Sequence, residues 1–331
     1  MCTRLVYLGE EGRVLTARSM DWGEDIGSNI WTLPRGMERT GQVGPASMEW
    51  TAAYGSVVTT AYDIATTDGM NEAGLVANLL WLPESEYPDW DGEEQAMAIS
   101  LWAQYMLDNF ETVADAVEHA RQEEFVVVTE QAPGQDRLAA LHLSLSDATG
   151  DSAIMEYVDG ELTIHHSREY QVMTNSPTFD KQLALAEYWN EIGGTVMLPG
   201  TNRPADRFVR ARFYVDAVPS VEDRRTATAS AFGVIRNASV PYGISTPDEP
   251  HISSTRWRTV ADHKDGIYYF ESALMPNTFW VELDELDFSV GSGARTLQLG
   301  PNQSNAFAGD VSGQLEPHEP FAFLGPEAAT G

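Results

Sequence analysis

Met1-Cys2-Thr3-Arg4-Leu5-Val6-Tyr7-Leu8-Gly9-Glu10-Glu11-Gly12-Arg13-Val14-Leu15-Thr16-Ala17-Arg18-Ser19-Met20-Asp21-Trp22 opens the chain. Two apolar runs, 5–8 and 14–18, flank Gly9-Glu10-Glu11-Gly12, so the segment reads as a β-hairpin. The antiparallel return brings residues 18–21 back beside Cys2. Cys2 is the sole cysteine among 331 residues and directly follows the first methionine. A small residue after Met1 permits removal of the methionine, which leaves one residue carrying both a thiol and a free α-amine. A thiol of reference pKa ~8.5 next to an amine of ~7.7–8.0 comes with its own base. The segment predicts an N-terminal nucleophile.

Working outward, residues 29–33, 56–62 and 75–80 read as strands, the last two joined through Asp68-Gly69-Met70-Asn71-Glu72-Ala73-Gly74, a turn composition. Helical periodicity covers 95–107 and 111–121. Strands return at 126–129, 138–146, 153–157 and 162–166, the last three separated by the hairpin loops 147–151 and 159–160. Helices are expected at 179–190, 205–217 and 221–235, and strands at 256–262, 266–270 and 278–282. The alternation of sheet and helix blocks predicts an α+β fold of two antiparallel sheets stacked between helical layers. It is expected to form a single domain spanning 2–331, with a less regular tail from about 300.

Composition narrows the function. Fifty acidic residues against 20 basic ones give a net charge of −30, which repels nucleic acid and anionic membranes. The acids are spread along the chain, and only Lys181 and Lys264 are lysines, a pattern expected of adaptation to high salt or of a GC-rich genome. One cysteine rules out internal disulfides and a cysteine-rich zinc site. No window approaches the ~18 apolar residues of a membrane span and no signal peptide opens the chain, so a cytoplasmic protein is expected. His165 and His166 are adjacent on a strand and point to opposite faces, so they could not share one ion, and no His-Glu-x-x-His spacing occurs. Neither a metal nor any other cofactor is expected.

Six motifs in chain order carry a resemblance: Cys2-Thr3-Arg4, Ala17-Arg18-Ser19-Met20-Asp21-Trp22, Gly69-Met70-Asn71-Glu72-Ala73-Gly74-Leu75, Thr174-Asn175-Ser176-Pro177, Asp206-Arg207-Phe208 and Ser239-Val240-Pro241. Together they resemble the choloylglycine hydrolase family of the N-terminal nucleophile hydrolases, which comprises bile salt hydrolases, penicillin V acylases and acyl-homoserine lactone acylases. The resemblance implies a four-layer αββα sandwich. It also implies hydrolysis of a linear amide in a small N-acyl substrate, through an acyl-thioester on Cys2, without a cofactor.

The site follows residue by residue. Arg18 would place positive charge beside the sulfur, and Asp21 would orient the α-amine. Asn175 would supply an oxyanion donor, Arg207 matches a family arginine near the nucleophile, and the second oxyanion donor falls at Trp81. Trp22 and Trp81 would frame an aromatic pocket for an aromatic or long acyl group. Tryptophan at position 81 is similar to the Gram-negative branch. The resemblance implies a homo-oligomer, and the short stretch between Asn175 and Arg207 leaves dimer and tetramer open. Penicillin V or an acyl-homoserine lactone fits such a pocket best. Conjugated bile salts, fatty amides and N-acyl amino acids remain alternatives, as does a non-catalytic N-acyl ligand-binding protein.

Overall fold

The computed structural model describes residues 1–131, 133–134, 136–193, 197–247 and 252–326. The last residues of the expected domain, 327–331, lie outside them. In chain order the first strands are β1 (Cys2–Leu8), β2 (Val14–Trp22), β3 (Ile30–Leu33), β4 (Glu38–Thr40), β5 (Glu49–Thr51), β6 (Ser56–Ala61), β7 (Ala65–Asn71), β8 (Val76–Trp81) and β9 (Ala96–Ala98). Helices α1 (Trp102–Asn109) and α2 (Val113–Ala120) follow, and then β10 (Val126–Val128), β11 (Leu141–Ser146), β12 (Ser152–Val158), β13 (Glu161–His166) and β14 (Val172–Met173). Helices α3 (Phe179–Ile192), α4 (Pro204–Ala217) and α5 (Arg224–Asn237) precede β15 (Ser254–Asp262), β16 (Ile267–Ser272) and β17 (Thr278–Glu282). The chain ends in the short pieces β18 (Arg295–Leu297), β19 (Gly309–Asp310) and β20 (Glu316–Pro317).

The opening hairpin forms as its turn chemistry requires. Glu11 and Gly12 take positive φ, 49° and 74°, and Gly9 N donates to Arg13 O at 2.7 Å, which sets Cys2 opposite Met20 and Arg4 opposite Arg18. This hairpin lies inside a seven-stranded sheet of order β14-β1-β2-β15-β16-β17-β19. A second sheet of nine strands runs β13-β12-β11-β8-β7-β6-β3-β18-β20. Helices α4 and α5 pack on β1 and β2, while α1 packs on β7 and β8 and α2 on β12. The result is the αββα sandwich. Every residue of β1 from Cys2 to Tyr7 is buried, which is why this strand reads as a nearly continuous run rather than a clean alternation.

The layer between the sheets is stitched by polar groups. Thr16 Oγ1 meets Ser146 Oγ at 2.7 Å, Thr59 Oγ1 meets Tyr268 Oη at 2.8 Å, and Arg4 donates to Ser152 Oγ at 3.0 Å and to Leu145 O at 2.9 Å. Buried groups of this kind must be paired to be tolerated. They therefore fix how one sheet sits on the other.

Three expectations need correction. Asp68 to Asn71 belong to β7, not to a turn, because they pair with β6 and β8. The turn shrinks to residues 72–75, with Gly74 at φ 95°. Residues 96–98 form a strand paired in parallel with β10, so the helix expected from 95 begins only at Trp102. An apolar Ala-Met-Ala run suits either state, and the neighbouring strand decides. The helix expected from 221 begins at Arg224, where Asp223 caps it by accepting from Thr226 N at 2.9 Å.

Candidate active site

Alternation along β1 and β2 sorts the site residues onto two faces. Arg18 and Cys2 Sγ face the second sheet, whereas Asp21 and Thr3 face the helical layer. Arg18 is fully buried. Its Nη2 lies 3.5 Å from Cys2 Sγ and donates to Leu79 O at 3.1 Å, and its guanidinium sits 4.6 Å above the Trp257 ring. Nη1 points to Asp68 Oδ2 at 3.6 Å. Asp68 accepts from Asn78 Nδ2 at 2.7 Å, from Thr259 Oγ1 at 3.2 Å and from Tyr268 Oη. Burial holds the Asp68 carboxyl above its ordinary pKa even though Arg18 and these donors pull it down. Asn78 Nδ2 and the Arg18 guanidinium can only donate, so Oδ2 serves as an acceptor.

Cys2 is 2 % exposed. Its main-chain nitrogen is a peptide amide while Met1 is attached, standing where the α-amine of a processed chain would be, and it donates to Asn175 Oδ1 at 2.5 Å. Asn175 Nδ2 donates to Trp81 O at 2.5 Å. Asn175 precedes α3 and is clamped from that helix, whose Gln182 donates to Asn175 O and Pro177 O while accepting from Thr174 Oγ1. Arg207 reaches in from α4, fully buried. It donates to Cys2 O at 2.6 Å, to Asn175 Oδ1 at 2.9 Å and to Thr3 Oγ1. Burial lowers its pKa, opposed by Asp21 and Cys2.

Asp21 Oδ1 accepts from Thr255 Oγ1 at 2.5 Å. Its Oδ2 is 3.5 Å from Arg207 Nη1 and has no hydrogen-bond partner among the described residues, although the side chain is fully buried. The Met1 amine donates to Asp21 O at 2.6 Å. Burial lowers that amine's pKa, partly offset by the charges of Cys2 and Asp21.

Trp22 and Trp81 stand 5.5 Å apart with their rings tilted by 54°. They line a pocket that ends at Cys2 and also touches Ile26, Ile64 and Leu141, with about 740 Å³ of space counting its open mouth. Trp22 Nε1 is spent on Tyr62 Oη at 3.0 Å, and the Arg137 guanidinium lies 4.3 Å from the Trp81 ring. All seven residues singled out from the sequence thus gather around one point. Asp68, Thr255, Trp257, Tyr268 and Gln182 were not foreseen. Asp68 lies in the stretch 68–74 that reads as a turn, one residue before a quoted motif, and the others come from strands and a helix that meet the site only in space.

Among the described residues, no group of three or more His, Cys, Asp or Glu could hold a metal ion, and no helix is long and apolar enough to cross a membrane. Residues 2–294 match the linear amide C–N hydrolases of the choloylglycine hydrolase family. The chain is 54 % identical to a penicillin V acylase of Pectobacterium atrosepticum, covering 98 % of this chain and 92 % of that one. It is 26 % identical to a bile salt hydrolase/transferase of Clostridium perfringens, covering 82 % and 89 %. The solved structure of penicillin V acylase from Agrobacterium tumefaciens is similar at a TM-score of 0.92 and 59 % identity, covering 98 % of this chain and all of that one.

Proposed function

The chain belongs to the choloylglycine hydrolase family of linear amide C–N hydrolases, and from that premise we propose that it cleaves N-acyl amides carrying an aromatic acyl group, with penicillin V as the leading substrate. The observation that carries this reading is Cys2 Sγ at the end of an apolar pocket framed by two tryptophans, with Arg18 Nη2 3.5 Å away. The substrate of the Pectobacterium relative points the same way. An N-acyl-homoserine lactone would present a similar amide to the same pocket.

The proposed chemistry uses the groups described. Once Met1 is removed, the Cys2 α-amine takes the thiol proton, and Arg18 favours the thiolate by its charge. A free amine in this cleft would meet the same desolvation that lowers the Met1 amine, which favours its neutral, basic form. The unpartnered Asp21 Oδ2 would orient it. Sγ attacks the amide carbon and the carbonyl π pair moves onto oxygen. Two donors would serve this oxyanion. One is the second hydrogen of Asn175 Nδ2. The other is the Trp81 N–H, which strand alternation places on the edge of β8 where Trp81 O receives Asn175 and where the β7 register has ended at Asp68–Asn78. Collapse expels the amine, which takes the proton from the Cys2 ammonium. Water, deprotonated by the same nitrogen, then releases the acid from the thioester.

Cys2→Ser should cut turnover of a phenoxyacetyl amide by at least ~10²-fold while leaving substrate binding by calorimetry within about twofold. Wild-type turnover in that variant would refute the assignment. Mass spectrometry should find the active protein without Met1, and full activity in a population that retains Met1 would exclude the amine as base.

A further inference from the structure

Among the described residues, Glu130 is the single carboxyl lining the pocket that ends at Cys2. It is 7 % exposed, and its Oε1 has no hydrogen-bond partner among the described residues. The segment that carries it doubles back over the pocket. Ala139 N donates to Glu130 O at 2.8 Å, Gln131 bridges Leu138, and Arg137 lies on the Trp81 ring. Leu324 lines the same pocket, held by Ser100 Oγ at 2.6 Å and by Ile64 O at 3.0 Å. Among the described residues, the charged groups around this region are Arg137 over Trp81, Asp136 on an adjoining hollow that Glu130 also lines, Glu24 against Gly134, and Arg18 at the base, which is turned to Asp68 and Leu79 O.

A buried polar atom without a partner is costly, so such an atom in a substrate pocket calls for a partner on the substrate. Burial pushes the Glu130 carboxyl up to about 7. Below that pH it is a neutral acid, and a carboxylic acid kept neutral by an apolar site acts as a hydrogen-bond donor. The matching feature on an acyl group is an acceptor oxygen.

We propose that Glu130 is a specificity-determining residue that donates a hydrogen bond to an ether or keto oxygen in the acyl chain, selecting such acyl groups over all-carbon chains of the same shape. The proposal rests on the acyl-pocket reading given under Proposed function. Its test is a matched pair, the 4-nitroanilides of phenoxyacetic acid and 3-phenylpropanoic acid, which differ only by oxygen for methylene.

The readout is the ratio of their kcat/KM values, in which intrinsic carbonyl reactivity cancels between wild type and variants. At pH 6, Glu130→Met should lower the ratio about tenfold, whereas Glu130→Gln, which keeps a donor, should retain it. Between pH 6 and 8.5 the wild-type ratio should fall as Glu130 ionises, while that of Glu130→Gln stays level. Equal ratios in all three proteins, or loss of the ratio in both variants, would overturn the proposal. If wild type cleaves neither amide, the acyl-pocket reading itself fails and this inference falls with it.

Discussion

Arg18 is a fully buried cation with two tasks, since it faces the sulfur of Cys2 on one side and the carboxyl of Asp68 on the other. Removing one partner of a buried pair leaves the other uncompensated, at a cost of about 3–5 kcal/mol. Asp68→Asn should therefore lower the urea midpoint by an amount corresponding to roughly 3 kcal/mol. It should also strip a negative charge from behind Arg18 and so make thiolate formation easier, moving the pH profile of Cys2 alkylation by iodoacetamide to lower pH. An unchanged midpoint would show that Asp68 is not the counter-ion. The nucleophile, Arg18 and Asp21 were legible in the sequence because they share one hairpin. Asp68 was not, because a strand running through Asp-Gly-Met-Asn contradicts the local turn signal and is imposed by the strands on either side.

Helix α3 is pinned at its start by Glu156 of β12, whose Oε2 accepts from Phe179 N at 2.9 Å while Oε1 meets His142 Nδ1 at 2.9 Å. Burial opposes ionisation of this carboxyl, but hydrogen bonds from His142, His165 and the Phe179 amide outweigh it and pull the pKa down to about 2. A carboxyl depressed on folding contributes stability above its unfolded pKa of ~4.3, and that stability is lost as pH falls through about 2. Glu156→Gln should thus destabilise the protein by about 3 kcal/mol at pH 6 and by much less near pH 2.5, read from urea midpoints at the two values. Equal losses at both would assign the effect to packing alone. The same variant should loosen Asn175, four residues before Phe179, and so lower kcat. The period-3.6 pattern of α3 was readable in the sequence. Its anchoring to β12 was not, because that bond joins residues 23 apart that pair only once the second sheet has formed.

At the scale of the whole molecule, the charge of −30 opposes compaction. Screening shortens the reach of that repulsion from about 30 Å at 0.01 M salt to about 3 Å at 1 M. The thermal midpoint should rise by several degrees across that range in sodium chloride, and a flat profile would show that the acidic surface is already relieved. By itself the sequence determined the hairpin, the order of sheet and helix blocks and the N-terminal nucleophile, and it singled out seven residues that the fold brings close together. Those depend on local turn chemistry, on periodicity and on short motifs. Only the tertiary structure decided that β7 continues through Asp68, that Asn175 spends an amide hydrogen on Trp81 O, and that Glu130 Oε1 in the pocket has no hydrogen-bond partner among the described residues. The first is fixed by pairing with the neighbouring strands β6 and β8, and the other two by segments far apart in the chain that meet only when the sheets stack and water is excluded.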